Sequence, residues 1–152
     1  MIAFDTNILA YAQQEVLADV RHQQASDLID RAMDAGAIIP VQVLSEFMNV
    51  CKRKLAIAPL DAVSQVQDYR DVFDCPQTTA TDVTEAAMLA ELMKLSYFDA
   101  LILTVARRNG ATIFLSEDMH DGLDVDGLRI VNPFVAANGA LLAEYFGSAL
   151  EG

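Results

Sequence analysis

Met1-Ile2-Ala3-Phe4-Asp5-Thr6-Asn7-Ile8-Leu9-Ala10-Tyr11 opens the chain, and its reading decides the fold. The apolar run from Met1 to Phe4 stops at an aspartate. Two small polar side chains follow, and Ile8-Leu9-Ala10-Tyr11 resumes the apolar pattern with a helical look. A short buried strand that ends in a carboxylate and turns into a helix is how open α/β sheets place polar groups at their ligand edge. Asp5 has an ordinary alternative use, because Asp and Thr are both good N-cap residues. The rest of the chain decides between the two.

Outward from that stretch, the pattern alternates. Asp19 to Met33 reads as an amphipathic helix, with Gly36 as a stop just beyond it. Ala37 to Val41 reads as a second short strand, its proline near the end. Helices are expected from about Val43 to Leu55, from Pro59 to Phe73, and from a Thr81 or Asp82 cap to about Lys94. Between them, Val72-Phe73-Asp74-Cys75 offers a short edge strand. Ser96 begins the most apolar helix, which ends at Arg107-Arg108 with Gly110 behind it. Ala111 to Leu115 is the clearest strand. A polar, Gly-containing loop leads to a further strand, Leu128 to Val131, and Leu141 to Phe146 suggests a last helix. Short, wholly apolar strands separated by helices predict a parallel sheet covered on both faces. The expected fold is therefore α/β: a three-layer α/β/α sandwich around a mostly parallel sheet.

Size and composition agree with one domain spanning 1–152, long enough to bury a core without disulfides or metals. An apolar fraction of 53% with four prolines and seven glycines excludes a disordered chain. The longest strongly apolar stretch, Ala100 to Ala106, is too short to cross a bilayer. Asp5 and the lack of a basic start argue against a signal peptide, so a cytoplasmic location without membrane contact is expected. Cys51 and Cys75 read as apolar fillers, neither paired nor at metal-binding spacing. The net charge of −12 is unlike that of a general nucleic-acid binder. Its ten basic residues are clustered, however, at Lys52-Arg53-Lys54 and Arg107-Arg108, and a whole-chain balance does not describe one cleft.

Three further acids stand where a charge is unexpected. Glu46 lies beside Leu44 and Phe47 near a helix start, and Asp99 interrupts Tyr97-Phe98 and Ala100-Leu101-Ile102. Asp118 follows the end of the strongest strand. Each has a plainer use. Asp99 could close a Ser96-x-x-Asp99 capping box, Glu46 could serve a helix start, and Asp118 could be a loop residue beside Glu117. Together they are harder to dismiss, because strand ends and helix starts of one parallel sheet face its carboxyl edge. Asp5, Glu46, Asp99 and Asp118 are therefore expected to converge. Four crowded carboxylates need a cation, and an all-oxygen set suits Mg²⁺ or Mn²⁺. Asn7 and Ser116 could orient these ligands. Arg53, seven residues beyond Glu46 on nearly the same helix face, could meet phosphate; Lys52, Lys54, Lys94, Arg107 and Arg108 are weaker candidates.

Phe4-Asp5-Thr6-Asn7-Ile8-Leu9-Ala10-Tyr11, Ser45-Glu46-Phe47, Leu95 to Ile102 and Leu115-Ser116-Glu117-Asp118-Met119 resemble, in order, the successive motifs of PIN-domain nucleases. The chain is most similar to the VapC-like toxins of bacterial toxin–antitoxin pairs, whose closing segment resembles Gly127 to Phe134 here. Phe98 stands where such proteins often carry Trp, and the loop after Asp118 departs with His120-Asp121 and the extra acids Asp124 and Asp126. The resemblance implies a metal-dependent endoribonuclease in which the four carboxylates hold one or two ions and a metal-bound water attacks phosphorus. Glu46 or Asp118 could take the water's proton, and His120 is a lesser alternative. Whether Asp121 or Glu117 joins the site is left open. The resemblance also implies a bound antitoxin and a homodimer. Two rivals remain: a non-catalytic binding module of the same fold, and a phosphate-transfer enzyme with Asp5 as nucleophile. The second would normally want another aspartate where Asn7 stands.

Overall fold

The structure, a computed structural model, describes residues 1–13 and 19–151. Five strands form one sheet: β1 (Ile2–Phe4), β2 (Ala37–Ile38), β3 (Ile113–Leu115), β4 (Asp124–Val125) and β5 (Leu128–Val131). Their order is β2-β1-β3-β5-β4, with β2, β1, β3 and β5 parallel and β4 antiparallel at the edge. Seven helices are described: α1 (Thr6–Ala12), α2 (Val20–Ala35), α3 (Val41–Arg53), α4 (Pro59–Val72), α5 (Ala80–Met93), α6 (Tyr97–Arg108) and α7 (Gly139–Glu151). The architecture is the expected three-layer α/β/α sandwich. All three residues of β1 and all three of β3 are buried, which is why both strands are apolar throughout instead of alternating.

Topology decides where a site can form. From β1 the chain runs outward to β2, then crosses back over β1 to reach β3 and goes on to β5. Right-handed crossovers in opposite directions place their helices on opposite faces, and a crevice opens between β1 and β3 at their carboxyl ends. The register aligns Phe4 with Leu115, and the ladder continues one step as Asp5 N donates to Leu115 O at 2.9 Å. The residues that follow the two strands therefore emerge side by side.

Several boundaries differ from those the sequence suggests. β2 covers only Ala37–Ile38, because Ile39 N turns to donate to Asp74 O (2.9 Å) and Val41 N to Pro76 O (3.0 Å). Those carbonyls satisfy donors at the start of α3, which begins at Val41 without a side-chain cap. The edge strand expected at 72–75 reduces to a single parallel bridge between Ile38 and Asp74. The cap of α5 is Thr79, earlier than Thr81 or Asp82. Thr79 Oγ1 accepts from Asp82 N (3.2 Å) and Asp82 Oδ2 accepts from Thr79 N (2.7 Å), a complete capping box. The polar loop expected after Asp118 contains β4, joined to β5 by Asp126-Gly127 with φ of 48° and 87°. Two consecutive positive φ values make the tight turn that hairpin twist requires, and Asp-Gly supplies them at least cost.

Candidate active site

Four elements deliver the acids to the crevice between β1 and β3. Asp5 ends β1, Glu46 lies on the second turn of α3, Asp99 in the first turn of α6, and Asp118 in the loop after β3. All four line one cleft of about 550 Å³, together with Thr6, Asn7, Asn49, Lys54 and Glu117 among others. Among the described residues, Lys54 is the one basic residue in that lining.

Asp5 is only 7% exposed. It caps α1 and also lines the cleft. As N-cap of α1, its Oδ1 accepts from Thr6 N at 2.7 Å, while Oδ2 accepts from Ser116 Oγ at 2.6 Å and Asn7 Nδ2 at 3.3 Å. Its carboxyl is raised to about 6: burial is the main cause, the bonds from Ser116 and Thr6 oppose it, and the charges of Asp99 and Glu46 add to it. Ser116 is buried and fully engaged, since its Oγ also accepts from Asp118 N and Met119 N at 3.2 Å each. Asn7 Nδ2 reaches both Asp5 and Asp118 Oδ2 (3.1 Å), and its Oδ1 accepts from Glu117 N at 3.2 Å. Asn7 and Ser116 thus touch the acids they were expected to orient.

Glu46 is held on each oxygen by a neutral donor: Gln42 Nε2 on Oε1 at 2.9 Å and Thr6 Oγ1 on Oε2 at 3.1 Å. Asp99 differs from the other three. Ser96 Oγ accepts from Asp99 N at 3.3 Å, but among the described residues the Asp99 carboxylate makes no hydrogen bond. The capping box is half made, and that carboxylate is left to the cleft.

Arg53 is exposed and outside the cleft lining; Lys54 borders it. The row of α3 that faces the cleft advances by fours, through Glu46 and Val50 to Lys54, and a residue seven positions on falls beside it. Glu117 lines the cleft but is already neutralised, accepting from Arg21 Nη1 at 2.9 Å and Tyr11 OH at 2.6 Å. Asp121 faces away: its carboxylate accepts from Asn132 N (2.8 Å) and Asn138 Nδ2 (3.0 and 3.1 Å). His120 is exposed and does not border the cleft. Arg107 and Arg108 are committed elsewhere, to Asp126 and Asp82. Sequence reasoning gave Thr6 no role beyond the turn and missed Gln42, Tyr11 and Arg21. Only Gln42 was within reach, because a residue four before Glu46 shares its helix face.

Among the described residues, no three His, Cys, Asp or Glu side chains stand close enough to enclose one metal ion. The donor chemistry nonetheless fits a hydrated hard cation, which needs only one or two carboxylates and keeps several waters. Asp5, Glu46, Asp99 and Asp118 face one cleft, with Lys54 the single positive charge among the described residues of its lining; burial foremost raises the Asp5 carboxyl, and the charges of Asp99 and Glu46 add to it.

The β2-β1-β3 core with acids at its switch point defines the class. Residues 2–120 match the PIN domain family, and the chain belongs to it. Among solved structures it is similar to a toxin–antitoxin complex from Klebsiella pneumoniae, at TM-score 0.64 and 19% identity over 88% of this chain and 98% of that one. It is also similar to Mycobacterium tuberculosis VapC20, a sarcin–ricin-loop-cleaving toxin, at TM-score 0.61 and 20% identity over 75% and 87%. A third is VapBC2 from Rickettsia felis bound to a promoter DNA fragment, at TM-score 0.63 and 18% identity over 87% and 98%. These likenesses are of fold. No curated protein matches the chain.

Proposed function

We propose that this chain is an endoribonuclease dependent on Mg²⁺ or Mn²⁺, and the toxin of a toxin–antitoxin pair. The observation that carries the reading is the set of four carboxylates, from four separate elements, lining one cleft at the switch point of a PIN-domain sheet. The description of VapC20 as cleaving the sarcin–ricin loop supports RNA as substrate, and the Klebsiella and Rickettsia complexes support an antitoxin partner. A homodimer is proposed as well, in keeping with exposed Met88 (74%) and Leu92 (79%) on α5.

A divalent ion held by Asp99 and its neighbouring carboxylates would supply an activated water and positive charge against the phosphate. The protein's own part is positioning. Thr6, Asn7 and Ser116 hold Asp5 in place, and Asn7 ties Asp118 to it. Lys54 offers the ammonium that meets an approaching phosphate. A covalent route is disfavoured. The Asp5 oxygens are occupied by three donors, and Ser116 Oγ donates its proton to Asp5.

The test is cleavage of structured RNA with Mg²⁺ or Mn²⁺ by the native chain, Asp5→Asn and Lys54→Ala. Asp5→Asn should abolish cleavage. Lys54→Ala should keep turnover but raise KM and flatten the dependence on salt, by about 0.7 in the log–log slope for one phosphate contact on single-stranded RNA. Equal activity of native chain and Asp5→Asn would sink the nuclease reading. Cation binding without cleavage by the native chain would favour the non-catalytic module.

A further inference from the structure

We infer that Gln42 is a positioning residue of the candidate site, setting the Glu46 carboxylate and coupling it to the turn that carries Asp99. The inference rests on reading Glu46 as part of a nuclease site. Gln42 stands one helical turn before Glu46 on α3. Its Nε2 donates to Glu46 Oε1 at 2.9 Å and to the Phe98 carbonyl at 3.2 Å. A carboxylate and a backbone carbonyl only accept, so the amide has one workable orientation. Turned over, it would set oxygen against oxygen twice.

That orientation has a consequence. Among the described residues, Gln42 Oε1 is buried without a hydrogen-bond partner. Buried acceptors are normally satisfied, and a leucine or methionine at this half-buried position would remove the unpaired oxygen altogether. What an apolar residue could not do is make the two donations. The fold keeps a disfavoured acceptor together with the two donors that reach Glu46 and α6.

Those donors suit a cation site. Glu46 receives one neutral donor on each oxygen, Gln42 on Oε1 and Thr6 on Oε2. Its rotation is set while its negative charge remains available to the cleft. Glu117, lining the same cleft, receives Arg21 instead and is neutralised by it. The second donation, to Phe98, fixes α3 against the first turn of α6, one residue before Asp99. Gln42 therefore registers two carboxylates that lie 53 residues apart, at positions 46 and 99, on two separate helices.

The test is Gln42→Met, which keeps the length and removes both donors, made alone and on Glu46→Ala. Mn²⁺ affinity is read by electron paramagnetic resonance titration of the metal-free chain, and kcat and KM by RNA cleavage. Gln42→Met should weaken Mn²⁺ binding and lower kcat by roughly 10–100-fold, with KM and melting temperature unchanged. On Glu46→Ala it should add nothing to either loss. Gln42→Glu, nearly the same shape but placing a second carboxylate against Glu46, should weaken Mn²⁺ binding more than Gln42→Met. Native-like Mn²⁺ binding and kcat in Gln42→Met would overturn the inference, as would an equal loss with and without Glu46. A native chain that neither binds Mn²⁺ nor cuts RNA would remove the nuclease reading and this inference with it, whereas an active native chain with an unaffected Gln42→Met removes the inference alone.

Discussion

Asp5 shows how one residue can be both a cap and a site group. Its folded carboxyl titrates at about 6 against an ordinary value of 3.8, chiefly because it is buried. A raised folded value means that the folded chain holds the proton more tightly than the unfolded chain does. Between about pH 4 and pH 6 the folded state therefore binds more protons, and its stability falls as pH rises through that window. The loss is at most roughly 3 kcal/mol for a shift of this size. Asp5→Asn keeps an oxygen for Thr6 N and removes the buried charge. In the absence of divalent metal, its stability relative to the native chain should improve as pH rises from 4 to 7, leaving it no less stable at pH 7. Urea midpoints of both proteins across that range check this. A constant gap, or a variant several degrees less stable at pH 7, would mean that Asp5 is chiefly a structural cap.

At the scale of elements, α5 and α6 are clamped by an ion pair that plays no part in the cleft. Asp82 is fully buried in the first turn of α5, where Arg108 Nε and Nη2 donate to its two oxygens at 2.7 and 2.8 Å. Arg108 foremost, with help from Thr79, holds the Asp82 carboxyl below the usual carboxylate range. A lowered folded value gives stability that is present above the ordinary carboxylate midpoint and is lost as pH falls through the folded one. Arg108→Ala strands a buried charge and should cost about 2–4 kcal/mol near neutrality, less than a fully buried pair because Arg108 is partly exposed. Chemical denaturation at pH 7 and pH 3 checks both size and sign, since the deficit should shrink at the lower pH. The sequence carried half of this clamp. Arg107-Arg108 were recognisable as a helix end, but their partners Asp126 and Asp82 lie 19 and 26 residues away in sequence. The β4–β5 hairpin was legible and missed: Asp126-Gly127 is a turn signal, but β4 is only two residues long and half exposed, too short to show strand alternation.

For the molecule as a whole, the charge of −12 and the cleft lining are separate facts. Net charge governs long-range steering and solubility, whereas the lining, with Lys54 beside the acids, decides what can be held. Among the described residues, no helix is long and apolar enough to cross a membrane. The exposed apolar side chains of α5 remain for a second subunit in the proposed homodimer. Sedimentation at high protein concentration should give twice the chain mass, and a monomer there would count against it.

The sequence by itself determined the alternation of strands and helices, the parallel sheet, and which carboxylates stand at strand ends and helix starts. Those features follow from local periodicity and from short apolar runs broken by an acid, all within a few residues of one another. Only the tertiary structure decided how the acids are used. It paired Ser116 with Asp5 across 111 positions, gave Glu117 to Arg21 and turned Asp121 toward Asn138. It also replaced Arg53 by Lys54 at the cleft and supplied Gln42 as the link between Glu46 and α6. The reason is physical. A hydrogen bond is made or lost within a few tenths of an ångström, and that distance is set by the packing of whole elements, which no local pattern records.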